Sequence, residues 1–294
     1  MPSLRDIKRR IRSVKSTQQI TKAMEMVAAA KLRKAQSRAE KARPYAEKME
    51  EILANLSSTV STGDATALHP YFEKRDVRKT TLVLITSDRG LCGSFNQNLI
   101  RRATSFLADY TPENVELVTV GKRGNVWFKK RPYPILSSHL DFGGNMDFQR
   151  AHAITHELTE RFVSGQTDVI YLLYQKFIST ARQEITMTRF LPIEPKLGED
   201  AAAEAKGTEY IFEPDPVAIF DDLMPRYALT KITTAMSESF AAEHAARMMA
   251  MGGATKSAGE MIDTLTLQFN KARQGAITKE LLDIVGGAEA LAHS

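Results

Sequence analysis

The sequence is poor in cysteine, in aromatic residues and in long apolar runs. Cys92 is the one cysteine among 294 residues, so the chain can form no internal disulfide and no all-cysteine metal site. Aromatic residues make up 7% of the chain, and its hydrophobic residues are weighted to Ala and Met, which is typical of narrow helix seams. No stretch has the pattern of a signal peptide or the length of a membrane span. We therefore expect a mostly helical, soluble protein in a reducing compartment.

Patterns typical of enzymes and metal sites are also missing. Only His152 and His156 are spaced at i, i+4 on a predicted helix, and the glutamate of the zinc-protease pattern does not accompany them. Cys92 has no neighbouring group that would activate a thiol, so a packed thiol is favoured. We expect no metal site, no catalytic residue and no enzymatic activity of the chain itself.

The loop Ser87–Ser94 follows a buried-strand pattern and precedes a helical one, where a doubly wound sheet binds phosphate. It lacks both the three-glycine fingerprint of dinucleotide sites and the Gly-Lys-Ser/Thr of a P-loop. A strand-to-helix connection with Asp88 and Arg89 in local hydrogen bonds is favoured over a nucleotide site. We expect no cofactor.

The first 60 residues predict one long coiled-coil helix. Ser3 and Asp6 mark its start, and apolar residues then follow two rows of a seven-residue grid. The rows are Leu4, Ile11, Gln18, Glu25, Leu32, Ala39, Ala46, Leu53, Val60 and Ile7, Val14, Thr21, Ala28, Ala35, Ala42, Met49, Leu56. Three polar residues, Gln18, Thr21 and Glu25, interrupt the grid. We expect a helix from about residue 3 to 57, kinked at Pro44.

A second long helix is predicted from Asp215-Pro216 to about Gly286-Gly287, which would end it. At about 1.5 Å per residue the two helices span about 80 Å and 105 Å. A globule between them requires antiparallel pairing, with Ser3 opposite roughly residue 270. The second helix therefore extends beyond the first. Its apolar end requires a socket on a partner and consists of Ile277, Leu281, Leu282, Ile284 and Val285.

The middle of the chain alternates strand and helix patterns. The predicted strands are 81–86, 115–120, 135–140, 169–174, 184–190 and 210–212, with 169–174 and 184–190 forming a hairpin; the predicted helices are 95–110, 124–130 and 146–163. This pattern favours an open, mostly parallel, Rossmann-like α/β domain. We divide the chain into a coiled-coil helix (1–60), a connector (61–79), an α/β domain (80–213, with a mobile loop near 196–207) and a second coiled-coil helix with its apolar end (214–294).

Basic residues crowd the first helix and leave three interpretations open. They are Arg5, Lys8, Arg9, Arg10, Arg12, Lys15, Lys22, Lys31, Arg33, Lys34, Arg38, Lys41 and Arg43. Without interleaved aromatic residues, such a helix would bind nucleic acid only through phosphates. A solvated coiled-coil face or a surface complementary to acidic proteins would have the same composition.

Five segments resemble the gamma subunits of F-type ATP synthases, in the same order and over essentially the whole chain. They are Ile20–Ala29, Ser87–Gly93, Glu213–Pro216, Glu243–Met248 and Asn270–Thr278. The resemblance implies a rotor shaft that couples proton flow to ATP synthesis, with nucleotide chemistry left to the beta subunits. It further implies that the partners are the ring of alpha and beta subunits, the epsilon subunit and the membrane c-ring, with delta and other Fo subunits in the same complex. Contact with nucleic acid is not implied.

The resemblance also assigns individual residues. Lys22 and Met24 match the motif that faces an acidic lever of beta, and Arg247 matches a motif tied to coupling. Three residues match contacts with the catch loop: Arg273, Gln274 and Thr278. The helix from Ile277 onward matches the part seated in an apolar bearing of the ring. The cysteine-containing insert of chloroplast forms and a mitochondrial transit peptide are not seen, so we expect a peripheral protein on the cytoplasmic face of a bacterial plasma membrane.

Overall fold

A computed structural model of the chain describes residues 3–59, 69–194 and 216–292. Its helices are α1 (Leu4–Thr59), α2 (Phe95–Leu107), α3 (Lys122–Phe128), α4 (Phe148–Val163) and α5 (Pro216–Ala292), with a short 3-10 helix at Pro70–Phe72. Its strands are β1 (Thr80–Ile85), β2 (Val115–Val120), β3 (Ile135–His139), β4 (Val169–Phe177) and β5 (Gln183–Leu191). The predicted strand 210–212, the predicted loop 196–207 and the predicted cap Asp215 lie outside the described residues.

The two long helices are confirmed, and the predicted end of the second is wrong. The Ser3 hydroxyl accepts a hydrogen bond from the Asp6 backbone nitrogen at 3.2 Å, which caps the start of α1. α5 continues through Gly286 and Gly287 to Ala292. A helical glycine costs only about 1 kcal/mol relative to alanine, and the alanine, glutamate and leucine residues that follow favour the helix. Both helices also continue through an internal proline, Pro44 in α1 and Pro225 in α5.

The five strands form one sheet in the order β3-β2-β1-β4-β5. The pairs β1 with β2, β1 with β4 and β2 with β3 are parallel, whereas β4 and β5 are antiparallel. The predicted hairpin and the mostly parallel Rossmann-like sheet are therefore confirmed. The chain runs from β1 outward to β3 and then returns through α4 to β4 on the other side of β1, which makes the β1–β4 boundary the switch point of the fold.

β1 and β2 are buried along their whole length, which shows that both faces of this sheet are covered. On one face, Val83 and Ile85 pack with α4 and with residues of both long helices, among them Met49 of α1 and Phe220 of α5. On the other face, Leu82 and Leu84 pack with α2 and α3. The sheet is thus a central layer between two helical layers.

Contacts divide the chain into two compact units, which are described separately below. The helix-pair unit combines Met1–Val27 with Met248–Ser294, and the sheet unit is Ala28–Arg247. Within the described ranges, none of the helices carries an apolar stretch long enough for a bilayer crossing.

Two phenylalanines of α4 test the core of the sheet unit. Phe162 is fully buried and Phe148 is 67% exposed. Phe162→Ala should lower the free energy of unfolding by about 3–5 kcal/mol because it leaves a cavity, whereas Phe148→Ala should change it by no more than about 0.5 kcal/mol. Urea denaturation of both variants measures the difference, and equal effects would contradict the assigned packing of α4.

Candidate partner-binding surfaces and the carboxyl edge of the sheet

The loop Ser87–Ser94 is a packed connection between β1 and α2, as predicted. The Ser87 hydroxyl donates to the Arg89 carbonyl oxygen at 2.6 Å, and the Asn96 carboxamide donates to the Cys92 thiol at 3.2 Å. Cys92 is buried, and burial raises the pKa of its thiol. The prediction of a packed thiol is confirmed.

Asp88 makes contacts that are not local, contrary to the prediction. Its carboxylate accepts hydrogen bonds from the backbone nitrogens of Lys122 at 3.1 Å, Asp141 at 2.9 Å and Gly143 at 2.7 Å. These donors follow β2 and β3, so one carboxylate joins the three loops at the carboxyl ends of β1, β2 and β3. The donors are backbone groups that carry no side-chain signal, and for that reason the sequence did not reveal them.

Helix α5 covers this carboxyl edge with a buried ion pair. Arg247 Nη1 lies 2.7 Å from Glu243 Oε1, and the Arg247 guanidinium donates to the Gly90 carbonyl oxygen at 3.3 Å. The two side chains are only 12% and 4% exposed. Doubly wound folds usually bind their ligands at this edge, beside the switch point. Here the helix of the same chain occupies the space, which agrees with a connecting loop and argues against a nucleotide site.

Both long helices also bind the turn Gly143–Gly144 within the sheet unit. Lys31 Nζ of α1 donates to the Gly143 carbonyl oxygen at 3.1 Å, and His244 Nε2 of α5 lies 2.9 Å from the Gly144 carbonyl oxygen. His244 is 1% exposed, and burial lowers its pKa to about 4, helped by the charges of Arg247 and Lys31. The ring is therefore neutral near pH 7 and donates through Nε2.

The residues expected to face an acidic lever lie on the helix-pair unit. Lys22 is exposed and pairs with Glu25, with its Nζ 3.3 Å from the carboxylate, while Met24 is half-buried. Ile20 and Val27 are exposed, so α1 presents apolar side chains outward beside Lys22. The basic residues of this segment also face solvent: Arg5, Lys8, Arg9, Arg10, Arg12 and Lys15.

Residues 273–285 of α5 are exposed along the whole circumference of the helix. Arg273, Gln274 and Thr278 are exposed. The five apolar residues Ile277, Leu281, Leu282, Ile284 and Val285 are between 50% and 66% exposed. Such a run of uncovered apolar side chains is typical of a surface that a partner covers. Arg247 differs from these residues, because its side chain packs against a loop of its own chain.

Glu243, His244, Lys31 and Gly144 complete the arrangement at the sheet edge, and their contacts with one another were not predicted from the sequence. The i, i+4 spacing of Glu243 and Arg247 is the one signal that indicates an ion pair. Nothing in the sequence indicates that Lys31 and His244, more than 200 residues apart, bind adjacent carbonyl groups of one turn.

Comparisons with known proteins give one consistent result. A family model described as ATP synthase matches residues 3–291. The ATP synthase gamma chain of Pelotomaculum thermopropionicum is 44% identical over 291 residues, covering 99% of this chain and 100% of the relative. That of Syntrophobacter fumaroxidans is 46% identical over 295 residues, covering 99% of each chain.

Solved structures agree with these relatives. A chain of the central stalk and c-ring structure of the Tetrahymena thermophila mitochondrial ATP synthase is similar with a TM-score of 0.60 and 28% identity, over 80% of this chain and 99% of that one. A chain of the Euglena gracilis mitochondrial ATP synthase has the same fold, with a TM-score of 0.67 at 21% identity over 98% and 94% of the two chains.

Two adjacent glycines test the turn that both helices bind. A Cβ at Gly144 would lie 2.6 Å from the His244 ring, whereas at Gly143 the nearest atom would be Asn145 Nδ2 at 3.9 Å; both residues have positive φ. Gly143→Ala should therefore cost about 1–2 kcal/mol of unfolding free energy through backbone strain alone. Gly144→Ala adds an overpacked ring and should cost about 3 kcal/mol or more. Equal costs in chemical denaturation would contradict the close approach of His244.

Buried His244 also predicts a dependence of stability on pH. Its pKa of about 4 in the folded protein lies below the value of about 6.5 in an unfolded chain. The unfolded chain therefore binds more protons between these values, and stability falls as the pH decreases through them. From about pH 7 to about pH 5, the wild-type chain should lose about 2 kcal/mol more than His244→Gln. Urea denaturation at both pH values measures this, and equal losses would contradict a buried neutral ring.

Proposed function

Because the chain belongs to the ATP synthase gamma chain family and is the non-catalytic central rotor shaft of that complex, we propose that it contacts the ring of alpha and beta subunits through a limited set of residues on α1 and α5. These are Lys22, Met24, Arg247, Arg273, Gln274 and Thr278, together with the apolar end of α5. These contacts transmit torque between the proton-driven c-ring and the catalytic ring. The observation that carries this proposal is the exposure of apolar and basic side chains on the helix-pair unit, which the chain itself leaves uncovered.

Lys22 and Met24 face an acidic lever segment of the beta subunit. Lys22 is exposed and contributes positive charge, and Ile20 and Val27 add apolar surface near it. Exposed ion pairs contribute only about 0–1 kcal/mol each, so many weak basic contacts hold a partner without fixing it at one angle. This suits a surface that must pass three beta subunits in turn.

The exposed end of α5 makes a different kind of contact. Arg273, Gln274 and Thr278 bind catch-loop groups of the ring. The Thr278 hydroxyl already donates to the Gln274 carbonyl oxygen at 3.0 Å, so toward a partner it acts mainly as an acceptor. The apolar residues from Ile277 to Val285 occupy an apolar bearing, where each buried large side chain contributes about 1.5–3 kcal/mol and no directional bond opposes rotation.

Arg247 contributes to coupling from a different position. Its guanidinium binds the Glu243 carboxylate and the carbonyl oxygen of Gly90. Only the small exposed part of the Arg247 side chain contacts the ring of alpha and beta subunits in this proposal. Its main effect is to hold the Gly90 loop against α5, so that loop and helix move together.

We further propose that the chain works on the cytoplasmic face of a bacterial plasma membrane, as a peripheral part of the complex. Its similarity to the bacterial relatives supports this location. Contact with the membrane then occurs only through the c-ring, and the epsilon subunit binds the sheet unit.

Met24→Lys tests the contact with the lever, with Met26→Lys as the matched control on the exposed face of the same turn. The chain is combined with alpha, beta and epsilon subunits and bound to Fo in vesicles, and ATP hydrolysis and proton pumping are measured together. Met24→Lys places a second cation opposite the acidic lever. It should therefore leave assembly and hydrolysis intact but reduce pumping per ATP several-fold.

Met26→Lys should pump as the wild-type chain does. Equal pumping by wild-type and Met24→Lys complexes would contradict the lever contact. If the wild-type chain failed to assemble with alpha and beta subunits, the proposed surface on α1 and α5 as a whole would be refuted.

A further inference from the structure

The three polar residues that interrupt the heptad grid of α1 all meet small or hydroxyl residues of α5 within the helix-pair unit. The three pairs are Gln18 with Gly259, Thr21 with Thr255, and Glu25 with Gly252. We call this set the polar register cluster. Its members are three or four residues apart on each helix and run in opposite directions, so they occupy three successive layers of one antiparallel seam.

The middle layer is a direct hydrogen bond between the two helices. The Thr21 and Thr255 hydroxyl oxygens are 2.8 Å apart, and Thr21 is only 9% exposed. The Gln18 carboxamide donates to the Thr255 carbonyl oxygen at 3.4 Å. Thr255 is therefore bound by two side chains of the opposite helix.

The outer layers use glycine to make room for long polar side chains. A Cβ at Gly259 would lie 3.1 Å from the Gln18 side-chain nitrogen, and one at Gly252 would lie 3.5 Å from the Glu25 carboxyl carbon. A Cβ built at Gly253 would meet nothing within 4 Å, so this glycine does not make room for a side chain of α1. The two glycines that face α1 are seven residues apart, which is one heptad.

The remaining layers of this seam do not define a unique alignment. Most of their residues are apolar and recur at seven-residue spacing, such as Leu4 and Ile11 of α1 and Ala258 and Leu265 of α5, and contacts between apolar side chains are not directional. A slip by one heptad would instead place the Thr21 hydroxyl opposite Ile262 or Met248. Thr21 and Thr255 would then keep only their bonds to the Gln18 and Met251 carbonyl oxygens of their own helices and lose the bond across the seam. The loss of such a bond between polar seam residues disfavours the slipped alignment, which is how these residues specify alignment in coiled coils.

We propose that the polar register cluster fixes the axial alignment of α1 against α5 in this unit. Thr21 and Thr255 are positioning residues, since they act through the alignment and not through a partner subunit. A shaft built from two helices transmits torque without internal shear only while this alignment holds. This role is independent of the contacts proposed above for Lys22, Met24 and the end of α5.

Thr21→Val with Thr255→Val removes both hydroxyls while keeping side-chain shape. Thr264→Val with Thr266→Val is the matched control, because these α5 threonines are exposed and bond only their own helix.

Spin labels at Arg12→Cys and Lys256→Cys report alignment, since both positions are exposed and the native Cys92 is buried. The chain is labelled before assembly with alpha and beta subunits. The distance between the two spin labels is then measured in the complex by double electron-electron resonance.

The wild-type chain and the Thr264→Val/Thr266→Val control should each give a single distance between the two spin labels. The Thr21/Thr255 valine pair should add a population displaced by about 10 Å, the axial length of seven helical residues. The Thr21→Ser/Thr255→Ser pair, which restores both hydroxyls, should return to one distance. Gln18→Leu, which removes the third side chain that binds across the seam, should also broaden the distribution.

An unchanged single distance in both the valine pair and Gln18→Leu would overturn the proposal. A lower melting temperature with an unchanged distance would overturn it too, because it would show that the hydroxyls contribute stability and not alignment. Substituting valine in an apolar seam should leave the melting temperature close to that of the control.

Discussion

Close approach of α1 and α5 is the constraint on which the rest of the structure depends. Two helices pack closely only where their facing side chains are small. α5 meets this condition with a row of small residues: Ala228 and Ala235 pack in one cluster with Met49 and Leu53 of α1 in the sheet unit, and Gly252 and Gly259 face Glu25 and Gln18 in the helix-pair unit. In the sheet unit this allows α5 to lie beside α1 and the sheet at once, and in the helix-pair unit it brings the Thr21 and Thr255 hydroxyls into contact. Larger residues along this row would separate the helices in both units.

The sheet unit shows how an enzyme-like scaffold can serve a mechanical role. Its β1–β4 switch point is where related folds bind nucleotides. In this chain the same edge is covered by α5, through Glu243, Arg247 and His244. Asp88 and the turn Gly143–Gly144 then join the loops of the edge to each other and to the helices. Fold alone does not identify a function, and in this family the scaffold belongs to a shaft.

Much of this architecture could be predicted from the sequence, because periodicity reports local structure. The heptad rows identified α1, the Asp215-Pro216 start signal identified α5, and the strand patterns identified all five described strands. Contacts made by backbone groups could not be predicted, as the three donors to Asp88 illustrate. Gly286-Gly287 was misleading, since glycine ends a helix only where the backbone turns left-handed, and here it remains helical. The predicted partner contacts came from the resemblance to the family, because periodicity and composition do not identify a partner.

The chain turns as a shaft inside the catalytic ring. The most direct test attaches a visible probe to an exposed loop of the sheet unit, such as Glu113→Cys, and fixes the ring of alpha and beta subunits to a surface. With ATP, the probe should rotate continuously in one direction and stop when ATP is removed. Hydrolysis at the normal rate by a ring whose probe does not rotate would contradict the account.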